Sequence, residues 1–259
     1  MQIQDRFLLG GYYKHRLGNT TVLMLNTNLY YRPNKAYDNF TNKEDPADQF
    51  AFMQSELETA SKCRKQPSPG CSQTVHIVAH IAPGGKRLIK DANGTAVQFV
   101  LMSPAVTPWF SSLNGAGANN PAFRLYDANY DGTFNDITTY YVNLTELNAS
   151  PSNTSFLSEY SFKGAYNIKG LINLSAMVDL VERIKKDRAV LSTYISYNSV
   201  LWDPKMPVDI YLGGQLCSME FADYPRYYSC LAQYNSSALH GFYMVMVVLL
   251  AVWLSDLLS

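Results

Sequence analysis

The residue best placed to do chemistry is His80, which ends an apolar stretch and precedes a Pro-Gly loop. Residues 74–85 read TVHIVAHIAPGG. The β-branched alternation predicts a strand over residues 74–79, and it places His80 at the carboxyl end, where open α/β sheets bind ligands. Imidazole is a natural metal ligand at such an edge. The alternative is that His80 only makes a hydrogen bond at the end of its strand.

Other motifs of catalysis are missing from the sequence. It contains no Gly-rich phosphate loop, no G-x-S-x-G elbow and no H-E-x-x-H pair. The four histidines are His15, His76, His80 and His240. Because His15 is predicted to lie in a turn and His240 in the C-terminal tail, these residues alone do not build a multi-histidine metal site. No catalytic residue is assigned.

The elements around His80 follow from the hydrophobic pattern. Residues 10–19 are typical of a turn, and residues 21–31 predict a buried strand. Residues 45–63 predict a helix with Asp45 as N-cap and Pro46 as its first residue. Together with the strand at 74–79, they form a βαβ unit with parallel strands. The predicted apolar face of this helix comprises Phe50, Met53, Leu57 and Ala60.

The rest of the chain passes from strands to helices. A Gly-containing hairpin loop is predicted at 127–136, and its aspartates lack the spacing of an EF-hand. Apolar residues at helical spacing predict helices over 174–187 and 188–200. Further strands are predicted at 97–104, 123–127 and 137–144.

Composition narrows the class of protein. The chain has 259 residues, of which 47% are hydrophobic and 16% charged, so it has enough apolar surface to fold. Its formal net charge is zero. A chain with balanced charge has no excess of basic residues to attract phosphate groups, so we expect no nucleic acid binding.

Glycosylation motifs and cysteines indicate the secretory pathway. Eight N-x-Ser/Thr motifs are many for this length. Two local disulfides, Cys63 with Cys71 and Cys217 with Cys230, are the simplest of the three possible pairings. Free thiols remain the alternative. The predicted glycosylation sites are Asn19, Asn39, Asn93, Asn143, Asn148, Asn153, Asn173 and Asn235.

The two ends of the chain give different indications. The N-terminus has no apolar signal-peptide region, so we expect a fragment or a true start farther upstream. Residues 241–254 are uninterruptedly apolar but short for a membrane span, which needs ~20 residues. No basic residue follows, and the small residues at 236–238 precede the run, which favours a GPI-anchor signal. A short membrane span or a buried C-terminal helix stays open.

Several segments together resemble the acid sphingomyelinase-like phosphodiesterases, a branch of the calcineurin-like metallophosphoesterases. They occur in the family's order over nearly the whole chain, and the resemblance is closest to the GPI-anchored type. The matching segments are GGYYKH, VLMLNTNLYYRPN (22–34), DPADQFAFMQSEL (45–57), VHIVAHIAPGG (75–85), SPAVTPWFSSLNGAGANNPAFRLYD (103–127), ITTYYVNLT (137–145) and LCSMEFADYPRYYSCL (216–231).

The resemblance implies an α/β fold. It would be a partial calcineurin-like metallophosphoesterase β-sandwich with flanking helices, followed by a helical C-terminal subdomain. Residues 1–145 would be the C-terminal part of the metallophosphoesterase domain, truncated at its start and carrying an internal deletion near 85–90. Residues 146–234 would be the helical region of the acid sphingomyelinase type, and 235–259 the hydrophobic tail.

The resemblance also implies a site with two zinc ions, in which His80 would be a ligand. The segment departs slightly from the family, because Ala79 and Ala82 stand where Gly and the first Pro are usual. The family's other ligand motifs, Asp-x-His, a bridging Asp, Asn-His and Gly-His-x-His, have no counterpart here. We therefore expect the chain not to bind both zinc ions fully.

Two functions follow as hypotheses. The first is a secreted or membrane-anchored zinc phosphodiesterase for phosphoesters such as sphingomyelin or nucleotide and choline phosphodiesters, of which this chain is an incomplete form. Its partners would be a small phosphoester or phospholipid substrate and, through the tail, the membrane. The alternative is a catalytically inactive cell-surface glycoprotein, a pseudoenzyme with a binding role.

Overall fold

The chain folds into two compact units that are each discontinuous in sequence. The computed structural model describes residues 3–31, 33–81, 87–111, 117–150, 155–202, 208–221 and 223–234. The first unit comprises Met1–Ala82, Leu125–Thr138 and Ser161–Asn173, and the second comprises Pro83–Arg124, Thr139–Tyr160 and Leu174–Ser259. The mixture of small sheets and helices confirms the predicted α/β class. The domain boundaries at residues 145 and 234 stay a prediction.

A three-stranded sheet with the order β1-β2-β3 organises the first unit. Helix α1 (Ile3–Gly10) precedes β1 (Tyr13–Leu17), which pairs antiparallel with β2 (Thr20–Leu25). Helix α2 (Gln49–Lys65) then connects β2 to β3 (Thr74–Ala79), and these two strands run parallel. The predicted βαβ unit is therefore confirmed.

The turn predicted at residues 10–19 is wrong, because half of this segment is strand β1. His15 consequently lies in a strand. Four of the five β1 residues are exposed, so the strand lacks the alternation of apolar and polar residues by which strands are recognised. The tight turn to β2 is at Gly18, whose φ of +57° suits glycine.

Helix α2 begins later than predicted. Ala47 and Asp48 have φ angles of +58° and +55°, so the short 3₁₀ turn at Pro46–Asp48 does not continue into the α-helix. The N-cap residue of α2 is Asp48 and not the predicted Asp45, although the Asp45 carboxylate accepts hydrogen bonds from the backbone N–H groups of Phe50 and Ala51 at 2.7 and 3.0 Å.

The apolar face predicted for α2 is also partly wrong. Phe50 and Leu57 are exposed, whereas Phe52 is buried against Tyr12 and Leu23 in the core of the first unit. The buried stripe of the helix is Gln49, Phe52, Ala60 and Cys63. Of the predicted face, Ala60 is buried and Met53 packs partly buried against the core, so half of the face is confirmed.

The remaining strands are short. The strand predicted at 97–104 is confirmed only as β5, whose Val97 is exposed rather than buried, and its partner β4 was not predicted. Strands β8, β9 and β10 form a sheet in the order β10-β9-β8, and the hairpin loop between β8 and β9 is confirmed. The bounds are β4 (Leu88–Lys90), β5 (Ala96–Phe99), β6 (Trp109–Ser111), β7 (Gly117–Asn119), β8 (Ala122–Ala128), β9 (Phe134–Tyr141) and β10 (Leu157–Ser161).

Helices dominate the C-terminal part, as predicted. Helix α5 buries a stripe formed by Met177, Leu180, Val181 and Ile184, and the Asp187 side chain caps α6. The helices are α3 (Leu144–Ala149), α4 (Phe162–Tyr166), α5 (Leu174–Lys186), α6 (Arg188–Asn198), α7 (Val208–Glu220) and α8 (residues 224–234).

The structure contains two disulfides. Cys63 at the end of α2 pairs with Cys71, and Cys217 of α7 pairs with Cys230 of α8, with Cα atoms 5.7 and 5.8 Å apart. Each closes a short loop and so restricts the unfolded chain. The second also fixes α8 against α7.

Two hairpins share one turn geometry. Gly94 and Gly132 have φ angles of +84° and +83°, and in each loop the glycine N–H donates to the carbonyl three residues earlier. A Cβ atom at Gly94 would meet nothing within 4 Å, whereas one at Gly132 would lie 2.2 Å from Thr20 Oγ1. The hairpin loop at Gly132 therefore packs closely on β2, whereas no described residue packs against Gly94 in the other loop.

We expect Gly132→Ala to destabilise the protein more than Gly94→Ala. The strained φ alone costs roughly 1–2 kcal/mol in both variants, and the clash with Thr20 adds roughly 1–3 kcal/mol at Gly132. Urea unfolding of the two variants measures this difference. Equal losses of unfolding free energy would show that the loop at Gly132 does not pack on β2 in solution.

Candidate functional site

The pairing of β2 with β3 defines the edge where His80 lies. Leu25 is opposite Ala79 at the end of the parallel register, so Asn26 and His80 follow the two strands at the same edge of the sheet. His80 is exposed. The structure thus places the imidazole at a carboxyl edge, where parallel sheets present their ligand-binding residues.

A buried glutamine holds the chain at this edge. Gln49, which is 1% exposed, accepts a hydrogen bond from Asn26 N–H at 2.7 Å and donates from Nε2 to the Asn26 carbonyl at 3.3 Å. The Asn26 side chain in turn donates to the Gly10 carbonyl at 2.9 Å. The first residue of α2 is therefore locked to the first residue after β2.

The residue after His80 is also bonded to the segment that follows β2. Ile81 N–H donates to Thr27 Oγ1 at 2.8 Å. This bond joins the residue after His80 to the second residue after β2. The backbone beside the imidazole is consequently held in place from two sides, by the ladder of β3 and by Thr27.

Asp45, an acidic residue just before α2, has a carboxylate that already accepts hydrogen bonds within the protein. Besides its bonds to the first turn of α2, Asp45 Oδ1 accepts a hydrogen bond from the Tyr30 hydroxyl at 3.3 Å. Burial raises the pKa of Tyr30, and the negative charge of Asp45 adds to this effect. We assign Asp45 a structural role at the start of α2.

The residues present do not fit a two-zinc site. Among the residues that the structure describes, no group of three or more His, Cys, Asp or Glu side chains lies close enough to hold a metal ion. The side chains after β2 are an amide and a hydroxyl, Asn26 and Thr27, and both make hydrogen bonds within the protein. His80 is thus positioned without the companion ligands that zinc requires.

His76, four residues earlier, plays a different part. Its ring lies 4.8 Å from that of Phe134, centroid to centroid. Burial lowers the pKa of His76, although a hydrogen bond with the backbone of Gly132 opposes the shift. A neutral, packed imidazole of this kind stabilises the sheet.

The second unit contains a partly buried cluster that the sequence did not predict. Arg124 of β8 donates to three neutral oxygens: the Met102 carbonyl, Thr139 Oγ1 at 3.2 Å and the Tyr160 hydroxyl at 2.8 Å. Tyr160 in turn stacks on Tyr197 of α6, with ring centroids 4.0 Å apart. A charged residue inside the apolar strand sequence AFRLYDA was the available signal.

Glu159, beside Tyr160, is the unusual member of this region. Both of its carboxyl oxygens are buried, and neither has a hydrogen-bond partner among the described residues. Burial raises the pKa of Glu159 from 4.5 to about 8, while the charge of Arg124 acts in the opposite direction. The carboxyl group is therefore protonated at neutral pH.

The predicted glycosylation sites lie mostly on the surface. Asn143 is half-buried and caps α3, because its side-chain oxygen accepts hydrogen bonds from Thr145 and Glu146 N–H. Asn153 and Asn235 lie outside the described residues, as do His240 and the apolar tail. The exposed sites are Asn19, Asn39, Asn93, Asn148 and Asn173.

Comparison with known proteins supplies the family. The profile of the acid sphingomyelin phosphodiesterase C-terminal region matches residues 95–237, more than half of the chain, including Arg124, Glu159 and the second disulfide. The chain belongs to the acid sphingomyelin phosphodiesterase family. The predicted family is thereby confirmed, whereas the resemblance to its GPI-anchored type has only weak support.

Relatives within this family are named as phosphodiesterases. Human acid sphingomyelinase-like phosphodiesterase 3b is 26% identical over 87% of the chain and 57% of its own length. Rat cyclic GMP-AMP phosphodiesterase SMPDL3A is 25% identical over 87% of the chain and 58% of its length. Sphingomyelinase phosphodiesterase C of Dictyostelium discoideum is 26% identical over 88% of the chain and 59% of its length. The chain thus spans less than two thirds of these relatives.

The disulfides and the family together indicate an extracellular or secreted protein. Within the described part of the chain, no helix is both long and apolar enough to cross a membrane.

We expect Glu159→Gln to remove a pH-dependent loss of stability. The pKa of Glu159 is higher in the folded protein than in the unfolded chain, so folding favours the protonated carboxyl group. The stability of the fold is therefore greatest below about pH 4.5, and it falls as the pH rises through about 8. Wild-type protein should lose several kcal/mol of unfolding free energy between these limits, since one pKa unit corresponds to about 1.4 kcal/mol, and the variant should lose less. Thermal unfolding from pH 5 to 8.5 measures it, with the exposed Glu44→Gln as the matched control. Parallel curves for wild type and Glu159→Gln would contradict the assignment.

Proposed function

We propose that the chain is a secreted or membrane-anchored form of a zinc phosphodiesterase, that it carries His80 as one metal ligand, and that alone it does not hydrolyse phosphodiesters. The observation that carries the proposal is the position of His80, fixed at the carboxyl edge of β2 and β3 without companion ligands among the described residues. The substrate class is a small phosphoester or a phospholipid, since relatives are named for sphingomyelin and cyclic GMP-AMP.

The chemistry explains why one ligand is insufficient. A pair of metal ions about 3.5–4 Å apart polarises the phosphoryl group and stabilises both the attacking and the leaving oxygen. Each catalytic zinc ion needs about three protein ligands. A single imidazole supplies only one of these ligands. The chain would therefore keep one ligand of the site and lack the others.

The proposal predicts that purified chain, supplied with zinc, releases no nitrophenol from bis(4-nitrophenyl) phosphate above the protein-free background. Zinc bound per chain should be well below two, because one imidazole binds zinc weakly. Elemental analysis after gel filtration measures the stoichiometry.

The decisive variants are His80→Gln and, as control, His15→Gln, which changes an exposed histidine of β1. Zinc-dependent turnover that His80→Gln abolishes and His15→Gln retains would show a working site and would overturn the proposed inactivity. Zinc-dependent turnover that His80→Gln leaves unchanged would show that His80 is not a metal ligand.

A second candidate function is a cell-surface glycoprotein with a binding role. The observation that favours it is the surface position of the glycosylation motifs, with five acceptor asparagines exposed. Sugars on these loops would suit a protein that retains the family's scaffold for contact with other molecules. In the membrane-anchored form, the apolar segment 241–254 would either be a short span or be removed as a signal and replaced by a GPI anchor.

At Asn143 we expect glycosylation and helix capping to be separable. Asn143→Asp and Thr145→Ala both destroy the acceptor motif, yet they keep a side-chain oxygen that caps α3. Asn143→Ala loses the cap as well, which costs about 1 kcal/mol. All three variants expressed in a secreting cell should lose the same glycan mass on SDS-PAGE. After glycan removal, only Asn143→Ala should unfold more readily; unchanged mass in all three would show that Asn143 carries no sugar.

A further inference from the structure

Helix α8 presents an exposed aromatic pair. Tyr224 and Tyr228 are 75% and 59% exposed, and their rings are stacked with centroids 6.2 Å apart and planes at 20°. Because they are four residues apart, they lie on one face of the helix. Exposed tyrosines in this arrangement form a rigid surface that is apolar in its rings and polar at its hydroxyl groups.

Packing on α7 fixes the direction of this face. The disulfide from Cys217 to Cys230 joins the two helices. Gly213 allows them to approach closely, since a Cβ atom there would lie 2.9 Å from Cβ of Tyr234 and 3.1 Å from Cδ1 of Leu231. Helix α8 is thus held along one side, and the tyrosine pair stands beside that contact rather than within it.

The chain beyond α8 indicates what the pair faces. The described part of α8 reaches Tyr234, and the apolar run begins at Gly241, so six residues separate them in the sequence. Six residues span at most about 20 Å. An anchor attached to this tail, whether the apolar run itself or a lipid joined near residues 236–238, therefore keeps the described end of α8 within about 20 Å of the point of attachment.

The composition of α8 suits a phospholipid surface. Its sequence YPRYYSCLAQY contains one charged residue, Arg226, which is exposed, and no acidic residue. Tyrosine is enriched at the boundary between water and lipid, where the ring contacts hydrocarbon and the hydroxyl contacts headgroups. A basic side chain nearby pairs with lipid phosphate.

We propose that Tyr224 and Tyr228 of α8 form a membrane-interface contact that orients the anchored protein on a phospholipid bilayer. The inference rests on the membrane anchoring in the proposed function. It adds that the second unit does not hang freely on its tether but rests on the lipid through α8.

The test compares tyrosine modification in full-length chain with and without phosphatidylcholine vesicles. Tetranitromethane nitrates accessible tyrosines, and peptide mass spectrometry gives the extent at each position. Vesicle binding should lower nitration of Tyr224 and Tyr228 by about threefold or more. Tyr130, which is 74% exposed in the loop between β8 and β9, should be unaffected.

A double variant gives an independent readout. Tyr224→Ser with Tyr228→Ser should partition into vesicles less strongly than wild type, whereas Tyr130→Ser should partition as wild type does. Vesicle binding without protection of the pair would overturn this inference and leave the anchor intact. No binding at all would overturn both. Protection that appears without vesicles would assign the pair to a protein contact and would also overturn the inference.

Discussion

The parallel pairing of β2 with β3 is the constraint on which the rest of the first unit depends. A parallel pair needs a crossover, and α2 supplies it only because its first residue is fixed to the end of β2. Gln49 makes this connection by satisfying both backbone groups of Asn26. Since a buried amide without partners costs roughly 1–3 kcal/mol, the glutamine and the strand end stabilise each other's position. The edge that presents His80 is therefore set by hydrogen bonding within the scaffold.

The placement of His80 at this edge does not depend on metal binding. The register of β3 and the bond from Ile81 N–H to Thr27 place His80 without any metal ion. Metal chemistry, in contrast, requires ligands that converge from several segments of the chain. A change that removes one segment takes away its ligands while the strand pairing persists. This explains how a histidine can stay fixed at the carboxyl edge of the sheet although the described residues around it offer amide and hydroxyl groups.

The sequence predicted those parts of the fold in which apolar residues alternate clearly, such as β2, β3 and α5. It did not predict β1, whose polar residues face solvent, and it placed the start of α2 at Pro46 because the left-handed backbone at Ala47 and Asp48 has no signal in residue types. The placement of His80 after β3 was predictable from the Pro-Gly break. Burial of Glu159 was not, because it depends on packing between distant segments. Its neighbour Arg124 did give a signal, as a cation within an apolar strand.

The Arg124 cluster shows how the second unit accommodates a partly buried cation. The guanidinium charge is met by a carbonyl and two hydroxyl oxygens, and its face lies over the Tyr160 ring, 6.0 Å from the centroid. The nearby carboxyl group of Glu159 is held neutral by burial, so it adds no second charge to the interior. Neutral oxygen acceptors and ring contacts thus stabilise the cation, and the disulfide fixes α8. Because none of these contacts involves a residue at the edge of His80, the same packing suits a binding protein as well as an enzyme.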